Sequence, residues 1–334
     1  MAEYLGLSEW TVSRAINGHP EVKITTRDRI FKAMDELGFR PNPVARKLNG
    51  KAMGVVGVCF INAHSSIMID KITLLDEFLF RHELRGILAI SSAEQEKELS
   101  IIREFLHLQV DGMVLIQSGL PYALLEKMLG QTPYVLIDPA DRSCTSKVWL
   151  DRGEAMRLTV QHLLDLGHRS FSTLGITPRD LWRWPGLIEP LSAAGLDSNE
   201  CVQSVALDHT QEESYAEGME LANQVIASPS PSTALIALND QIAIGAIRAL
   251  SNAGYHVPND FSVVGFDNLP VSRYWDPALT SIDQQTEKMI SSAGELLLEA
   301  LVRRSGSKNK KVVRIVPRLM IRGSTGISPL CKKS

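Results

Sequence analysis

Hydrophobic and polar positions follow two different periods along this chain, and the changeover falls near Met53. Before it, apolar residues recur at helical spacing. Val12, Ala15 and Ile16 form a narrow stripe at i, i+3 and i+4, behind Ser8, which can cap a helix, and Glu9, which suits its first turn. Asn17-Gly18-His19-Pro20 stops that helix. A further helix is expected from Thr25 or Thr26, with Ile30, Met34 and Leu37 on one face and Phe31 beside them. Gly38 ends it, and Pro41 and Pro43 bar its continuation.

After Met53 the apolar residues come in runs of strand length: GVVGVCFI (54–61), GILAIS (86–91), DGMVLIQ (111–117), TPYVLID (132–138), SFSTLGI (170–176), STALIAL (232–238) and FSVVGFD (261–267). Helical stretches are expected at 69–85, 94–108, 152–166 and 241–253. Alternating strand and helix implies parallel sheets with helices on both faces, so an α/β body stands behind an all-α front segment. Such sheets bind ligands beyond the carboxyl ends of their strands. The residues at those ends are Ile61-Asn62, Asp138, Ile176-Thr177, Asn239-Asp240 and Asp267-Asn268. No internal repeat is visible, and SGSKNKK (305–311) reads as a basic surface connection.

With 334 residues and 44% hydrophobic content, one small domain plus a two-lobed domain fits comfortably. No run of about 18 apolar residues exists, and the first residues do not resemble a signal peptide, so a cytoplasmic protein without membrane contact is expected. Cys59, Cys144, Cys201 and Cys331 lie far apart and form no CxxC pair, which points to free thiols and no zinc. GVVGVC lacks the GxGxxG fingerprint, and there is no GxSxG elbow, P-loop or metal-ligand cluster; neither an enzyme nor a cofactor is expected. The net charge of −3 conceals an asymmetry: residues 1–51 carry nine Lys/Arg against six Asp/Glu, whereas residues 52–334 carry 26 against 32. Only the front of the chain is suited to phosphate.

Six segments carry a resemblance. TVSRAING (11–18), FRPNPVARKLNG (39–50), HLLDLGHR (162–169), TALIALNDQIAIGAIRAL (233–250), VPNDFSVVGFDN (257–268) and VPRLMIRGSTG (316–326) resemble, in order and spacing, the lactose-repressor/galactose-repressor (LacI/GalR) family, from about Ala2 to Gly326. The resemblance implies a helix-turn-helix headpiece (1–40), a hinge helix and linker (41–52), and a core similar to periplasmic sugar-binding proteins (53–334). In that core, lobe 1 takes about 53–149 and 283–306, and lobe 2 about 150–280 and 312–326. It further implies a transcriptional repressor that partners operator double-stranded DNA and a sugar-like small-molecule effector, as a homodimer or a tetramer built from it.

A recognition helix presents polar side chains near its amino end and packs its other face on its neighbours. Residues 8–17 have that pattern: Glu9, Trp10, Ser13, Arg14 and Asn17 face out. By resemblance, the two positions after the capping Ser8 and the Arg of TVSR contact bases, which here are Glu9, Trp10 and Arg14, with Thr11, Ser13 and Asn17 on the same helix. Arg14 suits guanine O6 and N7, and Glu9 suits a cytosine amino group. Arg46 and Lys47 lie in the segment resembling the hinge helix, where Leu48 matches the residue that wedges between base steps. Two departures stand out. Met1 falls where the family is already in its first helix, so either the true start lies upstream, the preferred reading, or this is a small-molecule sensor that has lost DNA binding. Lys23 replaces the usual Ser or Thr cap of the third helix, and Thr25 is the candidate substitute.

A sugar site needs several convergent hydrogen-bonding groups on a rigid frame. Asn239 and Asp267 are offered by LND and GFDN, Arg183 by RWPGL (183–187), which resembles the family's R-x-x-G segment, and Asp138 by the end of TPYVLID. Asn62 and His209 follow from rough spacing. Asn239 and Asp267 also fit a bland role as strand-end turn residues bonding their own backbone. Trp182 and Trp184 suit stacking on a sugar face or plain packing, and INAHSSIM (61–68) departs from the family's usual segment after its first strand.

Overall fold

The structure, a computed structural model, describes residues 1–16, 19, 21–39, 53–62, 65–207, 214–230, 232–303 and 311–331. The chain divides into two units, Met1–Val55 and Val56–Ser334.

In the first unit, α1 (Ala2–Leu5) ends at Gly6, whose φ of 65° suits a residue without a Cβ. The turn leads to Ser8, whose Oγ accepts from the Thr11 backbone N–H at 3.1 Å and so satisfies one otherwise unpaired donor at the start of α2 (Glu9–Ile16). Val12 and Ala15 of α2 and Ile30 and Met34 of α3 (Ile24–Glu36) form a small core, closed by Met1, Ala2, Leu5, Leu7, Ile16 and Val22. Two expectations need correction. The helix α3 starts one residue early, after Lys23, and makes no side-chain cap bond, so Thr25 lies inside it rather than capping it. Leu37 terminates the helix and is exposed, because the backbone turns at Leu37-Gly38 before its side chain can join Ile30 and Met34.

The second unit holds two six-stranded sheets. In chain order its elements are β1 (Val55–Phe60), α4 (Ser66–Arg81), β2 (Arg85–Ile90), α5 (Gln95–His107), β3 (Gly112–Ile116), α6 (Tyr122–Leu129), β4 (Tyr134–Ile137), β5 (Lys147–Leu150), α7 (Arg152–Asp165), β6 (Phe171–Leu174), α8 (Trp184–Ala193), α9 (Ser198–Cys201), β7 (Val202–Val205), α10 (Tyr215–Ile226), β8 (Ala234–Ala237), α11 (Asp240–Asn252), β9 (Ser262–Phe266), α12 (Val271–Tyr274), β10 (Thr280–Asp283), α13 (Thr286–Arg303), β11 (Val312–Ile315) and β12 (Arg318–Met320). The first sheet runs β11-β5-β4-β3-β1-β2 and the second β12-β10-β9-β8-β6-β7. Each is wound in the same sense, with its first strand between its second and third. The order reverses beside β1 in one sheet and beside β6 in the other, and a crevice opens at such switch points. β12 runs antiparallel to β10.

The chain passes between sheets three times, from β5 to α7, from β10 to α13 and from β11 to β12. The last passage corrects an expectation. Residues 312–315 pair in parallel with β5 and bury Ile315 in the first sheet's core, so they belong to lobe 1, and lobe 2 regains the chain only at β12. Helix α4 also ends earlier than its apolar pattern suggests, since Glu83 turns through a φ of 59° and Arg85 begins β2. In lobe 2, α10 and α11 lie backbone to backbone: a Cβ on Gly218 would stand 2.2 Å from the Ile242 carbonyl oxygen, and one on Gly245 2.0 Å from that of Tyr215. Only glycine permits that approach.

Candidate effector cleft and DNA-reading helix

The carboxyl ends of strands from both sheets meet at a cleft of about 610 Å³. Lobe 1 supplies Asn62 after β1, Lys71 from α4, Gln117 after β3 and Asp138 after β4; lobe 2 supplies Arg183 before α8, Asn239 after β8 and Asp267 after β9; Gln284 comes from the second crossover. Asp138 and Asp267 have φ of 50° and 112°, a region L-residues enter rarely, and such strain persists where the surrounding structure holds it, often at ligand sites.

Asp138 is the electrostatic centre. Its Oδ1 accepts from the Leu150 backbone N–H at 2.7 Å and from Arg152 Nη1 at 3.1 Å, and its Oδ2 accepts from Arg152 Nη2 at 3.1 Å. Burial on its own pushes this carboxyl up, but the Arg152 and Lys71 charges outweigh it and hold Asp138 at about 2. Lys71, only 1% exposed, donates to Gln284 Oε1 at 3.0 Å and lies 3.9 Å from Asp138 Oδ2; burial pulls its ammonium below the usual lysine range. Gln284 passes the chain on, donating from Nε2 to Asp267 Oδ1. The buried polar network therefore runs from lobe 1 through a crossover to lobe 2.

Asn239 has two roles. Its Oδ1 accepts from the Ile242 backbone N–H at 2.8 Å, capping α11, while the residue also lines the cleft. Its neighbour Asp240 turns inward instead, accepting from the Leu269 backbone N–H at 2.7 Å and the Ser272 hydroxyl at 2.6 Å. Burial raises Asp240 to about 6. Arg183 donates to Asp180 Oδ2 at 2.8 Å and stands over the Phe266 ring, 5.0 Å from its centroid. Among the described residues no group of three His, Cys, Asp or Glu could hold a metal ion, and no helix is long and apolar enough to cross a membrane. All four cysteines are free.

On α2, Glu9, Trp10 and Ser13 are exposed, Trp10 at 66%. Ser8 and Thr11 are tied together by a hydroxyl–hydroxyl bond of 2.8 Å. Arg14 folds back over the Trp10 ring, 4.3 Å from its centroid, and its Nη2 lies 2.5 Å from Glu21 and 3.0 Å from His19 Nδ1.

Known proteins resemble this arrangement from end to end. Residues 1–42 match the description of bacterial regulatory proteins of the lacI family, and residues 160–325 match a periplasmic binding protein-like domain. Catabolite control protein A of Priestia megaterium is 28% identical over 332 residues, covering 97% of this chain and 98% of that protein. The HTH-type transcriptional repressor PurR of Pasteurella multocida is also 28% identical, with 97% of each chain covered. The lac repressor dimer bound to operator and an anti-inducer superimposes with a TM-score of 0.85 at 25% identity, covering 97% of both chains. The chain belongs to the LacI family. It is a DNA-binding transcriptional regulator with an effector-binding core, and its relatives are regulators rather than enzymes.

Within this LacI-family frame, Asn62, Asp138, Arg183, Asn239 and Asp267 line one cleft. His209 lies outside the described residues, as do Asn17, Arg46, Lys47 and Leu48 of the residues expected to contact DNA. Ser8, Glu9, Trp10, Thr11, Ser13 and Arg14 lie on or at the start of α2. Of the two tryptophans, Trp182 lines the cleft and Trp184 packs against the lobe 2 core. Sequence reasoning missed Lys71, Arg142, Arg152 and Gln284. Lys71 had a readable signal: it interrupts the buried stripe Met68, Leu75, Phe78 and Leu79 on α4, and a charge there needs a buried partner.

Proposed function

We propose that the cleft binds a sugar-class small molecule and that its occupancy sets operator affinity. The convergence of Asn62, Asp138, Arg183, Asn239 and Asp267 from both sheets on one cleft carries this reading, because a ligand touching all of them bridges the lobes. Asn239 offers a donor and an acceptor, Asp267 accepts from hydroxyls and Arg183 donates, while Asp138, held by Arg152 and the Leu150 N–H, forms the charged floor of the lobe 1 side. Glu9, Trp10 and Arg14 read base edges in the major groove, with Ser8, Thr11 and Ser13 fixing α2 on the backbone. Arg14 does so after exchanging Glu21 for guanine. Arg46, Lys47 and Leu48 serve the minor groove. The regulator acts in the cytoplasm as a homodimer. In support, β2 ends the first sheet with Ile87, Leu88 and Ile90 exposed, and Phe80 of α4 is exposed nearby in sequence.

Lobe closure about the three crossovers then couples the sites reciprocally, with a free energy of about 1–3 kcal/mol. The test begins with a thermal-shift panel of pentoses, hexoses, disaccharides and nucleobases on the full chain, since a ligand of the native state raises its stability. Fluorescence anisotropy of an operator duplex follows, with and without the binder. The expected result is a change in operator affinity of about tenfold for the native sequence and none for Asp267→Ala. An unaltered response in Asp267→Ala contradicts the assignment of the cleft.

A further inference from the structure

We infer that the effector carries a negative charge: it is a hydroxyl-rich anion whose carboxylate or phosphate group is received by Arg142, Arg179 and Arg183. This rests on the reading of the cleft as the effector site. Five cations line it, Lys71, Arg142, Arg152, Arg179 and Arg183, against three carboxylates, Asp138, Asp180 and Asp267. The carboxylates are engaged already. Asp138 takes both Arg152 nitrogens and faces Lys71, Asp180 takes Arg183, and Asp267 takes Gln284. Arg142 and Arg179 are left without an ion pair among the described residues.

Arg142 has an unusual setting. Its guanidinium stands 4.5 Å from the centroid of Trp149 on β5 and 4.3 Å from that of Trp182 in the loop after β6, one ring from each lobe. Contact with both indoles holds the group in place, and its N–H donors lie along its edge. Two of those donors, Nε and Nη1, are buried and have no acceptor, and neither has Nε of Arg183. A buried donor without an acceptor is costly, and a guanidinium edge matches the paired oxygens of a carboxylate or phosphate. A neutral sugar satisfies the hydroxyl-binding groups Asn239 and Asp267 but leaves the surplus of positive charge uncompensated. An anion attached to a polyol answers both.

The test titrates the full chain by calorimetry with matched probes: glucose against glucose 6-phosphate, glucuronate and gluconate, and ribose against ribose 5-phosphate, with inorganic phosphate alone as a further arm. At least one anionic probe is expected to bind about ten- to a hundredfold tighter than its neutral partner, and to weaken as sodium chloride is raised. The phosphorylated and carboxylated arms distinguish the two sources of charge. Arg142→Gln is expected to remove the preference, and Arg179→Gln, at an exposed loop position, to reduce it even if the first variant fails to fold. A neutral sugar that binds in an Asp267-dependent way with no anionic probe preferred overturns this inference and leaves the cleft reading standing. Inorganic phosphate binding as tightly as every sugar anion also overturns it, as an adventitious ion only. Silence from every probe, neutral and charged, overturns both.

Discussion

The two lobes share a winding order and differ at their outer edges. In lobe 2 the end strand β7 presents Gln203 and Ser204 to solvent and buries Val205, as an edge that stays in water should. In lobe 1 the end strand β2 exposes Ile87, Leu88 and Ile90, with Leu88 at 51%. The same topology thus gives one edge made for solvent and one made for a covering surface. The cleft's central charge pair is also shared between the lobes. Asp138 and Lys71 come from lobe 1, but the cation that holds Asp138 in a two-pronged grip, Arg152, opens the first helix of lobe 2. Architecture is duplicated, whereas edges and charges are specialised.

Removing the shared charge tests the comparison most severely. Arg152→Ala leaves Asp138 buried beside Lys71 alone, and is expected to lower the unfolding free energy by about 3–5 kcal/mol. A loss under about 1 kcal/mol in urea denaturation means that the pair is solvated and does not tie the lobes. Next comes the contrast between edges. Leu88→Glu on β2 is expected to weaken self-association by about 2–4 kcal/mol, read by sedimentation, whereas Gln203→Glu on β7 leaves it unchanged. Equal behaviour of the two variants removes the distinction between the lobes.

The smallest effect concerns lobe 2 alone. Burial holds Asp240 at about 6, above its value in an unfolded chain, so the folded state binds this proton more tightly. The resulting stability is complete below the unfolded value near about 4 and is lost as pH rises through about 6. Native protein should therefore gain on Asp240→Asn, by about 1 kcal/mol, between pH 7.5 and pH 5 in urea midpoints. A difference that does not vary with pH contradicts a protonated Asp240.

The parts of this molecule visible in its sequence are those governed by short-range regularity. Asp138, Asn239 and Asp267 are legible because each closes an apolar run of strand length, and parallel sheets expose their carboxyl ends. Arg142 and Arg152 sit at a loop and a crossover, where no period exists to mark them, and their partners Trp182 and Asp138 are distant in sequence. The segments HLLDLGHR and IRGSTG stand out by resemblance, but their reason is spatial. His168 is buried and bonds Thr233 at 2.8 Å, Ser262 at 2.9 Å and the Gly326 carbonyl at 3.1 Å, fastening the end of the chain to lobe 2. Residues 312–315 escaped correct assignment because a four-residue strand looks alike on either sheet, and only its pairing with β5 decides.

Selection of duplexes from a random pool by the full chain addresses the central claim most directly, since α2 in paired half-sites requires operator symmetry. The enriched sequences are expected to converge on a two-fold symmetric site, with Arg14→Ala losing the preference at one base pair in each half. Recovery of no sequence above the starting pool contradicts a regulator of transcription and leaves a binder of metabolites.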